Sequence, residues 1–315
     1  MIRPDDCSLS AEDLRVIERR ARDILNRASA WDRLPTPIDD ILAAANLKVA
    51  SHSIFDPKSI MAFVEEKTAI AARALKSAGL RIKSAISKVL GLYDADEYVI
   101  HIDDTVTTSK QTFLKLHETG HHELPTHRKL FRLFQDCEKT LAPETADQFD
   151  REANNFARFV LFQDNTFAQL AADCPFGIKT PINLSKKFGA SVYASAREYA
   201  RTNQRACVVF VLEPIEYVQG SGAKADVRRI EASPTFIIQF GIPTETVITL
   251  DHALGPVLPM YSKMTKPHSL SVVDLNGTNH ECLAEGFKTP YNIFILLYPV
   301  RPLTGTIIIP GLTTG

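Results

Sequence analysis

The chain reads as an α+β protein of several domains, and three observations lead there. Amphipathic helical patterns with short strands between them fill the first two hundred residues, and from Cys207 onward the texture changes to apolar, β-branched runs. The length, 315 residues, exceeds what one hydrophobic core ordinarily serves. At 45% hydrophobic and 23% charged residues the composition is that of an ordinary globular protein. A formal net charge of −1 provides no overall field to gather nucleic acid or an anionic membrane, so either contact would need a local patch.

Taken in order, Ser8-Leu9-Ser10-Ala11-Glu12 looks like an N-cap and first turn, leading a helix through Leu14, Ile17, Ala21, Ile24 and Leu25. Pro37 to Ala45 reads as a second, short helix ended near Asn46. Val49 to Ile54 is expected as a strand, and Tyr98 to Asp103, alternating and β-branched, as a better one. Between them, residues 67–92 carry Lys67, Arg73, Lys76, Arg81, Lys83 and Lys88 without one acidic residue, interleaved with apolar positions. Such a segment can grip a membrane or nucleic acid, but more often it is the solvated face of a packed helix.

A helix is expected from about Pro143 to Phe162. Thr180 to Arg197 has a helix-turn-helix pattern: Leu184 and Phe188 pack from the first helix, Gly189 makes the turn, and Ser191 caps a second helix that carries Arg197 and Arg201. The segment reads as a DNA contact or, more in keeping with the near-neutral charge and Glu198 amid the arginines, as a helical connector. Beyond it, Cys207 to Leu212, Phe236 to Phe240 and Tyr291 to Leu297 are expected as strands of a separate domain with no catalytic motif.

Chemistry concentrates in His117-Glu118-Thr119-Gly120-His121, an H-E-x-x-H pattern. On a helix the two histidines share one face and can offer two imidazoles to one metal ion, while Glu118 can reach a metal-bound water as general base. Neutral imidazoles suit Zn²⁺, which lowers the pKa of a bound water to roughly 7. Another divalent ion such as Mn²⁺ would also be accommodated. A third protein ligand is needed, and two residues compete for the role. His127 falls where the third histidine of H-E-x-x-H-x-x-G-x-x-H would sit, but position 124 is Leu where that motif needs Gly. Glu152, on the next helix within Asp150-Arg151-Glu152-Ala153-Asn154-Asn155, is better placed, with small and amide neighbours that allow close packing and outer hydrogen bonds.

The five cysteines, Cys7, Cys137, Cys174, Cys207 and Cys282, are widely spaced and form no C-x-x-C pair, as expected of reduced thiols. Residues 1–6 lack the apolar core of a secretory signal, and no run of about twenty apolar residues occurs. A cytoplasmic protein without a membrane partner is the expectation.

Phe113, the H-E-x-x-H pattern and, some thirty residues later, Glu152-Ala153-Asn154-Asn155-Phe156-Ala157 together resemble the ImmA/IrrE family of zinc metallopeptidases, as does the Pro37-Ile38-Asp39 segment with the helix before it. By matching motif positions, the resemblance implies His117, His121 and Glu152 as zinc ligands and Glu118 as general base. It further implies a zincin-like peptidase domain over residues 1–165, a helix-turn-helix-like segment over 166–205 and a GAF-like mixed α/β sensory or docking domain over 206–315. The implied activity is zinc-dependent cleavage of a helix-turn-helix transcriptional repressor, relieving repression of stress or DNA-damage genes. The alternative is a DNA-binding or sensory regulator with a vestigial peptidase fold, against which an intact Glu118 counts. No repressor-like DNA-binding domain precedes Ser8, and the basic 67–92 segment looks like an insertion relative to shorter family members.

Overall fold

Ser10 starts the first helix, α1 (Ala11–Arg27), because its Oγ accepts the Asp13 amide at 3.1 Å, one of the donors a helix start leaves without a carbonyl. Ile17, Ala21, Ile24 and Leu25 recur at helical spacing along α1 and are all buried. The computed structural model describes residues 7–51, 91–94, 97–127, 143–218 and 222–301. The chain divides into two compact units, Met1–Phe167 with Lys186–Ser191, and Ala168–Ser185 with Val192–Gly315.

In the first unit α1 is followed by α2 (Ile38–Ala44), which ends where Asn46 takes a φ of 59°. A three-stranded sheet of order β1-β3-β2 then forms from β1 (Lys48–Val49), β2 (Gly91–Asp94) and β3 (Val99–Ile102). Strand β1 pairs with β3 in parallel and β2 pairs with β3 antiparallel. Of the strand expected over 49–54 only Val49 is in β1, Ala50 and Ser51 lie beyond its end, and residues from 52 on are outside the described part, as are residues 67–90 of the basic segment. Next come the motif helix α3 (Thr108–Glu123) and its partner α4 (Pro143–Leu161), against which α1 also packs.

Three helices follow: α5 (Thr166–Ala172), α6 (Lys179–Phe188) and α7 (Val192–Thr202). Gly189 turns the chain between the last two with a φ of +69°, a conformation that costs glycine little because it has no Cβ. The arginines that a DNA-reading helix would offer outward are engaged within the second unit. Arg197 Nε lies 3.0 Å from Glu231 Oε2, Arg201 Nη2 lies 2.7 Å from the same oxygen, and Arg197 is buried. Arg201 also reaches Glu198 Oε2 at 3.3 Å.

The second unit carries a sheet of order β5-β6-β4-β10-β9-β8, with β7 (Val247–Thr249) on β6. Its strands are β4 (Val208–Leu212), β5 (Glu216–Val218), β6 (Gly222–Ala232), β8 (His268–Val273), β9 (Asn279–Lys288) and β10 (Ile293–Pro299), all paired antiparallel. Every residue of β4 and β10 is buried, which explains why both read as unbroken apolar runs and not as alternating ones.

One expected strand is a helix. Phe236 to Phe240 lies in α8 (Pro234–Phe240), where Ser233 Oγ accepts the Phe236 amide, Pro234 occupies the first turn, and Gly241 ends the element at a φ of 81°. The cap, the proline and the terminal glycine outweigh the β-branched pair Ile237-Ile238. No described helix is long and apolar enough to cross a membrane.

Candidate metal centre

The site is built where α3 and α4 pack face to face. The approach is close because Gly120 has no side chain: a Cβ there would stand 3.2 Å from the Ala153 Cα and 3.2 Å from Phe156 Cδ1. His117 and His121, one turn apart on α3, bring their Nε2 atoms to 3.1 Å from each other. Asp150 on α4 places Oδ1 3.9 Å from both nitrogens. Among the described residues these three form a group whose donor atoms converge closely enough to hold a metal ion.

Hydrogen bonds behind the rings bear on which nitrogen carries the proton. His117 Nδ1 lies 3.0 Å from Asn154 Oδ1, an acceptor, so the ring proton sits on Nδ1 and the Nε2 lone pair faces the cluster. His121 Nδ1 lies 3.0 Å from His127 Nδ1, and His127 Nε2 lies 2.8 Å from Glu152 Oε2. With Asn154 Oδ1 and the Glu152 carboxylate as acceptors, His121 donates from Nδ1 to His127 Nδ1 and His127 donates from Nε2 to Glu152, which leaves the Nε2–Nε2 contact without a proton. Two lone pairs then face each other at 3.1 Å, an arrangement that a cation between them relieves. The spacing fits, since two nitrogens about 2.0–2.1 Å from one tetrahedral ion lie roughly 3.3 Å apart.

Burial supports the same protonation states. It pushes the His117 imidazole down to about 4 and that of His121 well below its ordinary value, so both are neutral at pH 7, as metal ligands must be. Glu118 is buried beside them, and burial followed by the nearby Asp150 pushes its carboxyl up to about 8. A bound cation would oppose that shift by favouring the carboxylate.

Of the residues singled out from the sequence, the structure brings His117, Glu118 and His121 together and places Glu152 on His127, outside the convergent group. Helix geometry explains the division. At about 100° per residue, Asp150 and Asn154 share one face of α4 and both address the histidine pair, whereas Glu152 is turned about 200° from Asp150. The Asp150-x-x-x-Asn154 spacing, read beside the histidines four residues apart, is the signal that would have found both. His127 is fully buried and stacked on Phe149, with ring centroids 4.1 Å apart.

Comparison with known proteins gives three results. No curated protein matches. A solved structure, that of a Mycobacterium tuberculosis transcriptional regulator, aligns at 11% identity over 90% of this chain and 75% of that chain, with a TM-score of 0.48. Residues 78–197 match the family model described as the IrrE N-terminal-like domain, a match that takes in β2, β3, α3, α4, α5 and α6 and the first half of α7. The segment holding His117, Glu118, His121 and Asp150 is thus an IrrE N-terminal-like domain, of metallopeptidase fold.

Proposed function

We propose that the protein is a zinc-dependent endopeptidase that acts in the cytoplasm on a helix-turn-helix transcriptional repressor and thereby relieves repression of stress or DNA-damage genes. The observation that carries this reading is the convergence of His117 Nε2, His121 Nε2 and Asp150 Oδ1, with a buried Glu118 beside them. His117 and His121 hold the ion, and a carboxylate of α4 completes the set. Asp150 is the one that stands at the cluster, in place of the Glu152 that the motif resemblance implies. When bound, the ion supplies Lewis acidity and makes hydroxide accessible near neutral pH.

Every other task falls to the chain. Asn154 and His127 fix the two imidazole tautomers, and Asp150, exposed where the two histidines are not, leaves the approach to the cluster open on its side. Glu118 takes the proton of the attacking water and delivers it to the leaving amine. Residues 206–315, with α8 and the antiparallel sheet, serve as a GAF-like sensory or docking domain, because a cleft around one peptide bond reads too few residues to select a single repressor.

Glu118→Gln tests the reading. It should keep metal content and fold yet slow repressor cleavage by about 10²–10⁴, since an amide of the same shape cannot take up the proton. Cleavage within a fewfold of wild type sinks the peptidase assignment. The alternative, direct DNA binding by α7, is disfavoured by the capture of Arg197 and Arg201 by Glu231. Tight, sequence-dependent DNA binding by the full chain would revive it.

A further inference from the structure

Behind the cluster lies a pair of side chains that the proposed mechanism does not consume as ligands. His127 offers neither ring nitrogen to the space between His117 and His121: Nδ1 is turned to His121 Nδ1 at 3.0 Å and Nε2 to Glu152 Oε2 at 2.8 Å. The ring is 0% exposed and stacked on Phe149, so it cannot swing outward without breaking that packing. Glu152 is itself held, its Oε1 accepting from Gln148 Nε2 at 2.9 Å. A buried imidazole with both nitrogens matched is expensive to leave half-satisfied, and this one is matched in a single direction only, from His121 outward to the carboxylate.

We propose that Glu152 and His127 are positioning residues that act in series on His121, fixing the tautomer whose Nε2 lone pair faces the cation and raising its strength as a ligand. The pattern is a carboxylate–imidazole–imidazole chain, one link longer than the carboxylate–histidine pair that commonly backs a metal ligand. The carboxylate orients His127, which leaves its Nδ1 lone pair to accept the His121 Nδ1 proton, which in turn keeps that proton off Nε2. Asn154 does the same for His117 in one step, through a neutral acceptor. The two ligand histidines are therefore backed unequally, and His121 is the one reinforced by charge. This inference rests on the metal-centre reading above.

Its test is metal affinity, measured by competition with a chromophoric chelator on the full chain loaded with Zn²⁺ and, separately, with Co²⁺ as a spectroscopic probe. Glu152→Gln and His127→Gln should each weaken binding about 10–100-fold, the range for loss of an outer partner, with one ion per chain retained. The Co²⁺ absorption bands should keep their positions, because the atoms touching the ion are unchanged. The double variant should be no weaker than the worse single one, since the two residues act through one chain of bonds, and Glu152→Asp should recover part of the loss. Circular dichroism checks the fold of each, and if Glu152→Gln does not fold, His127→Gln and Glu152→Asp carry the test.

Unchanged affinity in the folded Glu152 and His127 variants overturns the proposal alone. Complete loss of metal with altered Co²⁺ bands, in a protein whose Asp150→Asn variant keeps its metal, also overturns it by making Glu152 or His127 a ligand. Absence of metal uptake by the wild-type chain overturns both this proposal and the peptidase reading, whereas metal uptake without repressor cleavage overturns the peptidase reading only.

Discussion

Each unit of the molecule holds a cluster of ionisable side chains, and the two clusters are opposites. In the second unit Glu231 sits between Arg197 and Arg201, and Glu198 also meets Arg201, so two carboxylates balance two guanidiniums. Between α3 and α4, two neutral imidazoles turn lone pairs toward each other, with a carboxylate 3.9 Å away. Nothing within that group supplies the missing positive charge. A closed cluster can be exchanged for well-packed apolar side chains at little cost, and it serves the fold. An open one is tolerated only where something else completes it, and so it points to function.

The largest expected effect comes from breaking the open cluster. Asp150→Asn should lower metal affinity by more than the 10–100-fold that loss of an outer partner costs, while the thermal stability of the metal-free protein stays close to wild type, because Asp150 is exposed. Chelator competition and calorimetry on the same preparations read both quantities. Affinity unchanged in this variant would remove Asp150 from the metal centre.

Breaking the closed cluster should show in stability and in its dependence on pH. Burial works against the Glu231 charge, but Arg201 and then Arg197 hold its carboxyl below the ordinary value of 4.5. A lowered folded pKa means the stabilisation is fully present above about that value and is lost as pH falls through the lower, folded one. Glu231→Gln should therefore cost about 1.5–3 kcal/mol at pH 7. The gap from wild type should close in strongly acidic buffer, and metal affinity should not move. Denaturant titrations at a series of pH values check this, and a gap that widens on acidification would contradict the sign.

A smaller effect tests the helix approach that the open cluster needs. Gly120→Val forces branched carbons toward Ala153 and Phe156, where even a Cβ is tight, and overpacking of this kind costs about 1–3 kcal/mol. Because the strain lies between the two histidines of α3 and the face of α4 that carries Asp150, metal affinity should drop as well. A destabilised protein with unaltered affinity would show that the ligands adjust independently of helix spacing.

How far the residues alone reached differs between these regions for a physical reason. His117, Glu118 and His121 were legible because one helix sets their relation, and α1, α4, β4 and β10 were legible because their apolar periods are local. Asp150, Asn154 and the inward turn of His127 were not, since their roles depend on which face of α4 meets α3. The small and amide neighbours of Glu152, and then the resemblance, direct attention two residues further on, and a shift of two on a helix is enough to point a carboxylate to the other side. For Arg197 and Arg201 the pattern favours a connector over DNA contact, but it does not show what engages them, because Glu231, on β6, lies some thirty residues away in the chain. In α8 the conflict is local: Phe236-Ile237-Ile238 favours a strand by side-chain shape, and Ser233, Pro234 and Gly241 prevail as helix punctuation.

The wholly buried pair β4 and β10 also governs how the second unit is made. Ile293 pairs with Leu212 and Leu297 with Val208, so the centre of the sheet joins segments about eighty residues apart. During synthesis β4 leaves the ribosome long before its partner, and until then one of its edges has only the growing chain to face. Val208-Val209-Phe210-Val211-Leu212 and Ile293-Phe294-Ile295-Leu296-Leu297 carry no charge and no proline, the composition of segments that stack with copies of themselves when exposed. Closure of such a distant pairing is slow relative to helix formation. Until that pairing closes, these two segments are the part of the unit most open to cross-pairing with another chain.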